Sequence, residues 1–192
     1  MRSHLGLGIV CWSVLSVALV AQSAQTPAQP RDGRDGARAE GQQNEPIAER
    51  EFITKAGQDG KAEVSLATLA EKKAENERVK QFAARMIRDH TSANNELSAI
   101  AQKKNVEIGD IPAEKKAMAD KLGAMDAKGF EQAYMSHMVE DHEKAVELFT
   151  RGSNSTDADV KAFASKTLPT LKEHLAEAQR VAKEVGAPAA HR

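Results

Sequence analysis

Glu63, His90, Asp141, His142 and His174 carry ionisable side chains at positions where the surrounding pattern calls for apolar ones. Glu63 stands seven residues after Ala56 and four before Ala67, and His90 lies midway between Ala83 and Leu97. His174 falls in the run Leu171, His174, Leu175, Ala178, and Asp141 is in line with Phe130, Tyr134, His137, Ala145 and Leu148. His142 lies nearer the other edge of that face. At about 100° per residue, such spacings return to one side of a helix. Neutral imidazole nitrogen and carboxylate oxygen are the usual ligands of zinc, iron or copper, so the chemistry these groups suit is ligation of a divalent transition metal. An unpaired buried carboxylate costs several kcal/mol. The other outlet for the same residues is a metal-free network of Glu-His and Asp-His hydrogen bonds.

Three of these positions, His90, Asp141 and His142, belong to a repeated stretch, MIRDH at Met86–His90 and MVEDH at Met138–His142. Met86, Ile87, Asp89, His90 and Ala93 match Met138, Val139, Asp141, His142 and Ala145, the pattern of an old helix-hairpin duplication or of convergence on one geometry. In each copy the histidine points inward, while the aspartate before it, about 100° away, can reach a neighbouring helix and orient a ligand there. Asp89 and His137 are therefore expected to support the ligands, although a histidine between methionines ("YMSHM") is more simply packing. Met86, Met135 and Met138 read as gap-filling core rather than as a copper pocket. The spacing is not the Glu-x-x-His repeat of di-iron bundles, which sets aside oxygen chemistry at such a centre. There is no Ser or Cys nucleophile arrangement, Gly-rich phosphate loop or usefully spaced acid-base carboxylate pair.

The elements that must hold these residues are helical. From Ile47 to Val185 the chain is rich in Ala, Glu, Lys and Leu, with no alternating strand pattern. Apolar stripes define four long segments, about 47–74, 77–104, 127–151 and 158–185. No Gly or Pro separates the first two. Their stripes are nevertheless about half a turn out of phase, which places a tight hairpin near Asn76 with Asn76 as N-cap. Pro112 opens a short helix in the long link and Gly123 closes it, while RGSNSTD breaks the third segment from the fourth. Pro169 is expected to kink the last helix. Gly57 and Gly60 mark a close helix contact, and the EKK stretches at Glu71 and Glu114 are expected on solvated faces.

Four long amphipathic helices with one long link describe an all-α, four-helix bundle. The link between the second and third long helices either runs back along the bundle, as in ferritin-like topologies, or stays local. Glu63, His90, Asp141 with His142, and His174 each lie near mid-helix, so they meet in one layer whichever way the helices run.

The first residues stand apart from this domain. A basic start, an apolar run from Leu5 to Val20 and a small-residue exit predict a signal peptide over 1–23, cleaved after Ser23. The apolar run falls short of the ~20 residues that span a bilayer, and no second such run follows. Residues 24–46 are expected to form a disordered linker, 47–186 the helical domain and 187–192 a tail. The single cysteine, Cys11, lies in the leader, so an exported product would have no disulfide and would depend on packing or a ligand. With 27 Lys and Arg against 28 Asp and Glu, the charge balance gives no footprint for nucleic acid.

The runs "AEVSLATLAEKKAENERVKQFAARMIRDHTSANNEL", "YMSHMVEDHEKAVELF" and "FASKTLPTLKEHLAEAQ" together resemble the exported bacterial family known as domain of unknown function 4142. Its members are often called outer membrane proteins and are grouped with ferritin-like bundles. The resemblance spans about Phe52 to Val181 and marks Glu63, Asp89, His90, Asp141, His142 and His174. It implies a ferritin-like fold and an envelope location, without an established reaction. No barrel-like strand pattern accompanies the outer-membrane label, so a periplasmic bundle is the better physical expectation. The functional expectation is a mid-bundle transition-metal site for storage, buffering or stress protection. The alternative is a structural or partner-binding envelope bundle with a metal-free polar layer.

Overall fold

The computed structural model describes residues 47–188; the expected signal peptide with Cys11, the linker over 24–46 and His191 lie outside the described residues. Five helices follow one another: α1 (Glu49–Lys73), α2 (Glu77–Lys103), α3 (Ala113–Gly123), α4 (Ala127–Ser153) and α5 (Ala158–Glu184). The described residues contain no strand. The protein is all-α, with a fifth, shorter helix inside the link.

Local chemistry sets the breaks. Asn76 caps α2 by accepting from the Arg78 amide at 2.8 Å, and Asp126 and Asp157 cap α4 and α5 in the same way. The α1–α2 turn also receives a long-range cap, because Glu131 of α4 accepts from the backbone N–H groups of Glu75 and Asn76, both at 2.7 Å. At the end of α2, Asn105 adopts a φ of 52°, and the Val106 amide closes back on the Ala101 carbonyl at 2.9 Å. Gly186 ends α5 with a φ of 68° and the matching Ala187-to-Ala182 bond. Pro169 lies within the span of α5, which continues to Glu184.

α1 packs along α2 and α4 along α5, with further contacts between α1 and α4 and between α2 and α5. The buried apolar residues fall into two groups. One holds Leu66, Ala70, Phe82, Met86, Phe130, Met138, Ala178 and Val181, and the other holds Phe52, Ile53, Leu97, Val106, Phe149, Val160, Phe163 and Leu171. Each long helix contributes to both groups, and Glu63, His90, His142 and His174 fall between its two contributions. The polar layer therefore separates two apolar halves.

This order also shows the path of the link. α2 ends among the second group, at Ala101, with Val106 of the link just beyond it, whereas Leu122 of α3 and Phe130 of α4 belong to the first. The link thus runs back along the molecule, with α3 against α1 and α4. At the glycine pair, a side chain at Gly60 would collide with Asn94 of α2, and one at Gly57 with Ile108 of the link. Among the described residues, no helix is long and apolar enough to cross a membrane.

Candidate metal centre

His90 on α2, His142 on α4 and His174 on α5 meet between the two apolar halves. One ring nitrogen from each lies within 4.8 Å of the other two, and their ring centroids are separated by 5.4–5.6 Å. His142 is fully buried, His174 is 1 % exposed and His90 is 9 % exposed, so His90 is the ring nearest to solvent.

What the other nitrogens do determines what this cluster offers. His142 Nδ1 lies 2.9 Å from the Met138 carbonyl, which can only accept; Nδ1 therefore carries the hydrogen and Nε2 keeps its lone pair. His174 Nε2 lies 2.9 Å from Asp89 Oδ2. Burial alone would raise the Asp89 pKa, but hydrogen bonds from His174 and Arg88 outweigh it and hold the carboxyl below its usual range. Asp89 is thus an ionised acceptor, His174 donates from Nε2, and its Nδ1 lone pair is free. His90 Nε2, His142 Nε2 and His174 Nδ1 are all buried and all without a hydrogen-bond partner.

All three rings are held neutral. Burial, followed by the neighbouring imidazoles, lowers the pKa of His90 to about 3. Burial and His174 lower that of His142 to about 4. Burial also lowers that of His174, outweighing the bond to Asp89. Behind His174, Asp89 is braced by Arg85, whose guanidinium also reaches Glu173 and Glu177 of α5 at 2.7 Å each. Such outer contacts fix the tautomer and direction of a ligating imidazole.

Glu63 is buried but does not belong to the close group. Its Oε1 lies 3.9 Å from His142 Nδ1, on the side of the ring already bonded to Met138, and Oε2 has no partner. Burial, with the charge of Asp141, raises its pKa to about 8, so the carboxyl is mainly neutral at pH 7. The Tyr134 hydroxyl is also buried without a partner.

Asp141 departs from its expected place among the ligands. One residue turns a helix by about 100°, and with His142 facing the interior, Asp141 faces α3. There its Oδ2 meets Lys115 Nζ at 3.0 Å and His137 Nε2 at 3.3 Å. The two copies of the repeat differ in use: Asp89 orients a member of the cluster, whereas Asp141 lies beside His137 and holds α3 through Lys115. His137 accordingly touches Asp141 rather than the three rings. Lys115, expected on a solvated face, is 21 % exposed and bridges Asp141 to Asp59 of α1 at 3.1 Å. Sequence reasoning missed it because its partners lie on other helices. A small cavity of about 60 Å³ adjoins the cluster, and its lining includes Asp59, Glu63, His90, Lys115, Asp141 and Lys144. Met86, Met135 and Met138 are fully buried core.

The fold and site together define a class: an all-α protein with a buried three-histidine cluster at mid-height. The chain belongs to the family described as a domain of unknown function (DUF4142), whose model matches residues 34–181. Two solved structures share its fold. One is a DUF305 fragment from Deinococcus radiodurans, with 13% identity and a TM-score of 0.63, covering 72% of this chain and 99% of its own. The other, described as "putative secreted protein DUF305" from Streptomyces coelicolor, has 16% identity and a TM-score of 0.64, covering 73% of this chain and 94% of its own. No protein of curated function matches the chain.

Proposed function

We propose that this protein is an exported, ferritin-like bundle of four long helices that binds one divalent transition-metal ion through His90, His142 and His174. The observation that carries this reading is the convergence of three neutral imidazoles, each with one buried ring nitrogen that has no hydrogen-bond partner within the protein. A metal-free polar layer accounts for the His142–Met138 and His174–Asp89 contacts, but it leaves the three facing nitrogens unsatisfied. Unsatisfied buried polar atoms cost about 1–3 kcal/mol each. A cation supplies all three with an electron-pair acceptor at once.

Imidazole ligands suit zinc, copper, iron and nickel. Three protein ligands leave a coordination position for an exchangeable group, which fits uptake and release in storage, buffering or stress protection. Export is supported by the apolar leader and by the secreted description of the Streptomyces coelicolor neighbour. The proposed location is the periplasm or envelope.

Elemental analysis of protein purified without a metal-affinity tag tests the reading. About one ion per chain is expected, and it is lost in a variant carrying both His90→Ala and His174→Ala. Helical circular dichroism checks that the variant is folded. Absence of metal after reconstitution with zinc, iron and copper in turn would leave the structural or partner-binding bundle as the better account.

A further inference from the structure

The three rings are sealed unequally. His142 and His174 have no useful exposure, whereas His90 forms part of the wall of the 60 Å³ cavity. Side-chain exposure along that cavity falls from 45% at Asp59 to 9% at Asp141 and 6% at Glu63, tracing a path from solvent toward the cluster. The path begins with two carboxylates. It ends beside Glu63, whose Oε2 is buried without a partner, and His90, whose Nε2 is also unpartnered. Across the mouth lies Lys115, its ammonium between Asp59 and Asp141. Lys115 belongs to α3, the short helix of the link, so the group that closes the mouth comes from none of the four helices that build the layer. Lys144 also approaches Asp141, at 3.9 Å, but is 73% exposed and solvent-screened.

We propose that this cavity is the route by which a divalent cation reaches the three histidines, and that Lys115 is its plug. The incoming cation displaces the Lys115 ammonium from Asp59 and Asp141, passes Glu63 Oε2, and is taken up by His90 first. The proposal rests on the metal-binding reading above. Its physical basis is substitution of like for like: one cation replaces another between two carboxylates, so the negative mouth is never left uncompensated. Lys115 lies outside the three-histidine group. It therefore controls how fast metal enters and leaves, and not how tightly it is held.

Stopped-flow mixing of the metal-free protein with cobalt(II), followed by its visible absorption, tests this, with release measured by a chase of excess chelator. Lys115→Met is expected to speed both entry and release by about tenfold, while the equilibrium dissociation constant changes by less than about threefold. Lys115→Arg, which keeps a cation at the mouth, should remain near the wild-type rates. Asp59→Asn should slow entry several-fold, with a shallower dependence on ionic strength. Wild-type rates in Lys115→Met, with normal cobalt stoichiometry, would overturn the route while leaving the centre intact. A Lys115→Met variant whose affinity changes without parallel changes in the two rates would also overturn it. Failure of the wild-type protein to bind cobalt in an equilibrium titration would instead remove the centre and the route together.

Discussion

An imidazole has two nitrogens, and at His142 and His174 the protein binds one and leaves the other facing the cluster. Asp89 is the side chain that makes this choice for His174, so Asp89→Asn is a direct test. The amide preserves size but can offer its own N–H to the ring, which favours the wrong tautomer. Metal affinity is expected to fall by about 10–100-fold with little change in fold, measured by competition with a chelator of known strength. Unchanged affinity would remove Asp89 from the account. The same burial has a pH signature in the metal-free protein. His90, His142 and His174 all have folded pKa values below the ordinary 6.5, so the unfolded chain binds their protons more readily. Their contribution to stability is complete above pH 6.5 and is lost as pH falls, through about 4 for His142 and about 3 for His90. Glu63 has the opposite sign: with its pKa raised from 4.5 to about 8, its contribution is lost as pH rises across that interval. The melting temperature of the metal-free protein is therefore expected to peak near pH 6.5, with the steeper fall on the acid side. Glu63→Gln should flatten the alkaline fall. A wild-type melting temperature that climbs steadily from pH 6.5 to 8 would contradict this assignment.

Among the elements, the α4–α5 hairpin depends on a close approach that only a small residue permits. A Cβ at Gly152 would meet the Phe52 ring and the Ala164 side chain, both in the apolar half beyond the histidines. Phe52 is itself locked edge-on against Phe149 and Phe163, with centroids 5.1 and 6.3 Å away. Gly152→Ala should therefore cost about 1–3 kcal/mol in denaturant unfolding, even though alanine favours helix. A stabilised variant would show that the ring can move aside. Much of this architecture was legible in the chain. Helix phase located the break at Asn76, and turn residues located the short helix between Pro112 and Gly123. Phase and mid-helix height also brought Glu63, His90, His142 and His174 to one level. The illegible parts share one physical cause, which is that they depend on partners remote in sequence. On the broad face of α4 nothing local decides between Asp141 and His142; the position of Lys115 on α3 does. Glu131 gives no local sign that it caps the distant α1–α2 turn. The direction of the link likewise emerges only when Ala101 and Phe130 are seen in opposite apolar halves.

At the scale of the whole molecule, two apolar halves are separated by a layer whose facing nitrogens the protein does not satisfy. The described residues contain no cysteine, so no disulfide braces them. A bound ion joining α2, α4 and α5 would link three helices at mid-height. It would add about 2.7 kcal/mol of stability at a free concentration a hundred times the dissociation constant. On the proposed reading His90 Nε2, His142 Nε2 and His174 Nδ1 together hold that ion. X-ray absorption spectroscopy of the zinc-loaded protein addresses it most directly. The account predicts three imidazole nitrogens at about 2.0–2.1 Å, with the outer-ring scattering that imidazole produces and one further light-atom ligand. A spectrum without imidazole scattering, or one unchanged when His90, His142 and His174 are all replaced by alanine, would contradict it.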